Sequence, residues 1–152
     1  MDLKVHQVVL TVSSLEKSVE FYSQFGFVPE NHLRKEDGRE RITMRSTRSS
    51  DFELKLFANP RPKSLSIPED LQEYLTQIGT RYMSLLADDV DEFYEQNKTR
   101  IRFIQKPKTG MTGCRYTFFT DPDGIVVEVY EKNYHAKDQP ASLPDAKLPL
   151  TE

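Results

Sequence analysis

The sequence predicts an α+β fold assembled from two βαβββ modules. Three observations carry that expectation. Two stretches, VVLTVSSLEKSVEFY from Val8 and MSLLADDVDEFYEQN from Met83, align at an offset of 75, strand with strand and helix cap with helix cap, although few residues are identical. Each is followed by runs that alternate apolar and polar residues with the period of a strand. The segments between those runs carry Asp, Pro and Gly, the residues that preset or tolerate the dihedral angles of tight turns.

Val5–Val12 places Val8, Leu10 and Val12 on one face, with His6 beside them, and Gln7, Val9 and Thr11 on the other. Ser13-Ser14-Leu15-Glu16 fits an S-x-x-E capping box, in which the Ser oxygen and the Glu carboxylate satisfy N–H groups left free at a helix start. Leu15, Val19, Tyr22 and Phe25 repeat at helical spacing, and Gly26 supplies a left-handed residue to end the helix. Phe27–Lys35 and Arg39–Ser46 read as strands around Glu36-Asp37-Gly38, the first an edge strand because it holds Pro29 and many charges. In Asp51–Phe57, Phe52, Leu54 and Leu56 point one way and Glu53, Lys55 and Phe57 the other. Residues 1–58 form the first module.

Residues 59–80 read as a linker. Asn59-Pro60-Arg61-Pro62-Lys63 precedes a short helix capped at Ser66-Ile67-Pro68-Glu69, with Leu71, Tyr74, Leu75 and Ile78 at helical spacing and Gly79 as the stop. The second module takes residues 81–131. Tyr82–Ala87 is its first strand, Asp89 and Glu92 form a D-x-x-E cap before Phe93 and Tyr94, Ile101–Lys106 is a further strand and Lys108–Gly113 a loop. It closes on Tyr116–Glu131, where Asp121-Pro122-Asp123-Gly124 turns between two runs rich in Val, Ile, Phe and Tyr. Glu128 interrupts the second run; alternation groups it with Val126 and Tyr130, opposite Ile125, Val127 and Val129. Residues 132–152 hold three of the nine prolines and little apolar pattern, which predicts a mostly disordered tail.

With 24 acidic against 21 basic residues and a net charge of −3, the chain has no basic footprint for nucleic acid or an anionic membrane. No apolar run reaches the ~18 residues of a membrane span, and no secretory leader pattern is visible. A single cysteine, Cys114, excludes an intrachain disulfide. A cytoplasmic protein with a small-molecule partner is the expectation.

The runs VVLTVSSLEKSVEFY, ELKLFANPRP and FFTDPDGIVVEVYE resemble the vicinal oxygen chelate superfamily, which includes glyoxalase I, bleomycin-resistance proteins, fosfomycin-resistance enzymes and extradiol dioxygenases. The resemblance spans roughly residues 5–131. It implies a homodimer in which two modules curl their sheets into a half-barrel cleft, and a divalent metal held by one inward residue from each of four strands. Those positions fall on Gln7, Lys55, Tyr82 and Glu128. Gln7 and Glu128 match ligand types of glyoxalase-like members and would hold any retained Zn, Ni, Mn or Mg. Lys55 stands where that pattern has Glu, and Tyr82 where it has His or Glu. A lysine ligates only after losing its proton, which at neutral pH costs an ordinary ammonium roughly 4–5 kcal/mol. A bulge or shifted start in either strand would instead bring in His6, which sits next to Gln7, or Glu53, which lies on the same face as Lys55.

Two functional readings follow. In the first, a glyoxalase-like lyase or isomerase moves a proton on a small oxygen-rich metabolite, with Glu128 as base and Lys55 as electrophile, while Gln7, Tyr82, Thr11, Phe57 and Tyr130 contact the substrate. In the second, the protein binds or sequesters a small molecule without metal, as bleomycin-resistance members do, and Phe57, Tyr82 and Tyr130 suit an aromatic ligand. A structural Lys55–Glu128 ion pair and a Tyr82 that is merely pocket wall are the plainer alternatives. Cys114 has no partner histidine nearby and is not expected to be a nucleophile. His6, His32 and His135 show no ligand spacing, and Lys106-Pro107-Lys108 and Arg45–Arg48 read as solvated edges.

Overall fold

A computed structural model describes residues 6–49, 52–64, 68–110 and 113–131. The expected tail at 132–152 and the capping pair Ser66-Ile67 lie outside the described residues. The chain forms two compact units, one running to Tyr82 and taking in Thr120–Val126, the other holding Met83–Phe119 and the residues from Val127 onward.

In the first unit β1 (Gln7–Val12), α1 (Leu15–Ser23), β2 (Phe27–Arg34), β3 (Glu40–Ser46) and β4 (Glu53–Ala58) build a four-stranded sheet in the order β1-β4-β3-β2, followed by α2 (Leu71–Thr76). β1 and β4 are parallel, and the other pairs antiparallel. The alternation of β4 works as expected: Leu54 and Leu56 are fully buried with Met44 of β3, Val12, and Tyr22 and Ser18 of α1, while Lys55 and Phe57 face the opposite side, half-exposed. β2 is the edge strand, and its pairing with β3 shifts register between Pro29 and Asn31, where the proline has no N–H to give the ladder.

Two helix starts depart from expectation. The cap of α1 is Ser14, whose side chain accepts from the Lys17 N–H at 3.3 Å. The Ser13 N–H, which Glu16 would reach in a capping box, is instead taken by the Asp123 carboxylate at 3.0 Å. At α2 the cap is Asp70, accepting from Gln72 and Glu73, so the helix has only six residues. It ends before Ile78, which is fully exposed and not part of an apolar stripe.

Gly26 follows α1 at φ +81°, and a Cβ there would come within 2.9 Å of the Thr47 hydroxyl. That hydroxyl and the Thr47 N–H both donate to the Gly26 carbonyl. Gly26→Ala therefore meets backbone strain and a displaced hydrogen bond together, and is expected to cost about 1–2 kcal/mol in urea-induced unfolding. A neutral result would show that the α1–β2 turn is readily remodelled.

The second unit repeats the layout. β5 (Met83–Ala87), α3 (Val90–Asn97), β6 (Arg102–Phe103), β7 (Lys108–Thr109), β8 (Arg115–Thr120) and β9 (Val126–Glu131) give the order β5-β9-β8-β6, with β7 pairing β8 and β5 parallel to β9. Asp89 caps α3 by accepting from Glu92, as its D-x-x-E pattern predicts. The strand expected over Ile101–Lys106 shrinks to Arg102–Phe103, because Pro107 lacks an N–H and the Gln105 carbonyl is taken by the Thr117 hydroxyl. The expected loop from Lys108 instead begins with a short strand, held by Arg115, which donates to both Asp91 oxygens and to the Thr109 hydroxyl. Phe93, Tyr94, Phe103 and Phe119 pack edge-on and tilted at centroid distances of 4.8–6.0 Å, the aromatic core of this unit.

The turn between β8 and β9 is built on Asp121, which belongs to the first unit. One carboxylate oxygen accepts from the Asp123 and Ile125 N–H groups, both at 2.9 Å, and the other accepts from the buried Tyr22 hydroxyl at 2.8 Å. Gly124 closes the turn at φ +84°.

Candidate functional site

Strand pairing arranges the open face of the first sheet as three rows. Gln7, Glu53 and Arg45 form the first, Val9, Lys55, Thr43 and Asn31 the second, and Thr11, Phe57, Arg41 and Leu33 the third. In-register neighbours sit about 5 Å apart, so contact across a row is direct and along a diagonal lies within reach of long side chains. β1 and β4 pair without a break from Gln7↔Glu53 to Val12↔Ala58, so the register slip that would substitute His6 for Gln7 is absent.

Charge is unevenly balanced over these rows. In the first, Glu53 meets the His6 ring at 3.4 Å and Arg45 pairs with Glu30. In the second and third, Lys55 and Arg41 have no carboxylate partner among the described residues of their unit. Beyond Arg41 the surface dips into a shallow depression of about 160 Å³ lined by Leu33, Lys35, Arg39, Glu40, Arg41 and Phe57. Two of its charges are already engaged: Arg39 pairs with Asp37, and Glu40 accepts from His32 at 2.8 Å and Arg34 at 3.2 Å. The His32 hydrogen bond, then Arg34, hold the Glu40 carboxyl below its usual range.

In the second unit Glu128 lies half-buried on β9, and Ser84, its in-register neighbour on β5, donates to it at 2.6 Å. Leu86 and Tyr130 pair one step along, Leu86 strongly exposed. Tyr82 precedes β5 and is itself exposed. The sequence-predicted residues thus fall into groups: Gln7, Thr11, Lys55 and Phe57 share the face of the first sheet, and Glu128 and Tyr130 share a face of the second. Arg41, Thr43, Leu33 and Ser84 were not anticipated. Ser84 was within reach of the offset of 75, which matches it to Val9, the neighbour of Lys55 just as Ser84 is the neighbour of Glu128. Among the described residues no three His, Cys, Asp or Glu side chains cluster as a metal site, and Cys114 is buried.

Two sheets of corresponding strand order in an α+β chain, each opened by a parallel first-to-last strand pair and the second carrying β7 as an extra strand, define the vicinal oxygen chelate fold. The chain belongs to the Glyoxalase/Bleomycin resistance protein/Dioxygenase superfamily, whose pattern matches residues 4–129. It is 28% identical over 131 residues to YwkD of Bacillus subtilis (strain 168), covering 84% of this chain and 96% of that protein. A glyoxalase family protein from Enterococcus faecalis has the same fold at a TM-score of 0.67 and 22% identity, over 84% of this chain and 97% of that one. So does TnmS3, described as an antibiotic binding protein from Streptomyces sp. CB03234, at a TM-score of 0.60 and 22% identity, over 86% and 96%. No helix among the described residues is long and apolar enough to cross a membrane.

Proposed function

We propose that this superfamily member binds a small organic molecule on the open face of its first sheet without a divalent metal. One observation carries the reading: Lys55 lies in mid-face, between Val9 and Thr43, with no carboxylate among the described residues of its unit to neutralise it. A resident ammonium repels a divalent cation, and the neutral Gln7 amide does little to offset that repulsion. Of the four positions that the family resemblance assigns to ligands, only Glu128 is a carboxylate, whereas Zn, Ni, Mn and Mg sites favour imidazole, thiolate or several carboxylates. The donor set does not fit the metal. TnmS3, with the same fold, is described as binding an antibiotic, which supports ligand capture as a use of this architecture.

Proton transfer is the second reading. It is favoured by Glu128, an oriented, half-buried carboxylate held by Ser84.

The test is metal analysis of the purified protein, with thermal unfolding in EDTA and in added Zn, Ni, Mn or Mg. The expected result is substoichiometric metal and an unchanged Tm throughout. A stoichiometric metal whose removal lowers Tm would overturn the metal-free reading.

A further inference from the structure

Building on that metal-free reading, we propose that the ligand is a flat, largely apolar organic anion, its carboxylate or comparable oxyanion taken by Lys55 and Arg41 and its body by Phe57 and Leu33. Apart from Lys35 on the rim, every other charged group of these rows and of the depression is already engaged. Glu53 faces His6, Arg45 pairs with Glu30, Arg39 pairs with Asp37, and Glu40 is held by His32 and Arg34. Lys35, on the rim of the depression, adds a further positive charge. What remains at the centre is cationic and calls for an anion.

The apolar half follows from the same grid. Arg41 sits in register between Phe57 and Leu33, and Lys55 is the diagonal neighbour of Arg41, two residues before Phe57 on β4. Leu33 is half-exposed although large and apolar, and together with Phe57 it lines the depression. A planar guanidinium accepts a carboxylate edge-on and stacks on a flat ring, whereas an ammonium acts as a point charge, so the pair suits one oxyanion joined to one aromatic surface. A small hydrophilic anion would leave Leu33 and Phe57 wet, and a neutral aromatic would leave both cations unmatched.

Naphthalene-2-carboxylate and its neutral counterpart naphthalene-2-carboxamide separate these cases when titrated into the full chain by calorimetry, with inorganic phosphate as a third probe. The carboxylate is expected to bind about tenfold more tightly than the amide, a preference that shrinks with added salt. Lys55→Gln and Arg41→Gln should each remove most of that preference, the second also weakening the amide because it loses the stacked guanidinium, and an unchanged Tm confirms that each variant is folded. Equal binding of carboxylate and amide, failure of both to bind, or a preference surviving both substitutions would overturn the assignment. Phosphate binding as tightly as the carboxylate would overturn its apolar half. A metal-loaded protein would instead defeat the metal-free reading beneath it, and the metal analysis reports that separately.

Discussion

Asp121→Ala should lower stability by about 3–5 kcal/mol and the Tm by about 10 °C. The carboxylate is 4% exposed and accepts three hydrogen bonds, so its removal strands the Tyr22 hydroxyl, itself fully buried, and two backbone N–H groups of the turn. Tyr22→Phe removes one donor and leaves Asp121 its two N–H partners, so it should cost only about 1–2 kcal/mol. Burial pushes the Asp121 carboxyl above its ordinary range, against the pull of its three donors. Burial, and next the Asp121 charge, push the Tyr22 phenol far above its own. Because the Tyr22 phenol is raised, its contribution is intact below about pH 10, the ordinary value of an unfolded tyrosine, and falls as pH rises beyond it. Tyr22→Phe should flatten that alkaline limb. A loss below about 1 kcal/mol for Asp121→Ala in urea unfolding would show that water replaces the carboxylate at no great cost.

Phe119→Ala should destabilise the second unit by a similar amount, about 3–5 kcal/mol. Its ring is fully buried and meets Phe93 at 5.9 Å and Phe103 at 5.8 Å, so truncation opens a cavity between rings that cannot easily close on it. Phe119→Leu retains most of the volume and should cost less than half as much. Equal losses for the two variants in chemical unfolding would mean that edge-to-face contact, not volume, governs this core.

What the sequence revealed and what it hid divide by range. The β1 strand, the alternation of β4, the Asp89 cap and the Asp121–Gly124 turn are all set by neighbours a few residues apart, and each formed where its pattern indicated. The Ser13 box did not, because its N–H is claimed by Asp123, 110 residues away. Lys55, Gln7, Thr11 and Phe57 could be placed on one face from alternation alone. Arg41, Thr43 and Leu33 could not be joined to them, because only the β2–β3–β4 register brings those residues into the same rows. Ser84 was hidden differently: Tyr82 occupied the family's position, and nothing local marks the residue two places on as the one that donates to Glu128.

The return of Thr120–Val126 to the first unit also bears on how the protein is made. A nascent chain can pair β1 to β4 once Ala58 has left the ribosome, yet Tyr22 then has no acceptor and Ser13 no carboxylate to bind. At ~5–20 residues per second, Asp121 emerges several seconds later. Until then the Tyr22 hydroxyl and the Ser13 N–H lack the carboxylate partners they have in the folded protein, so the Asp-Pro-Asp-Gly turn completes the first unit only after most of the second has been synthesised.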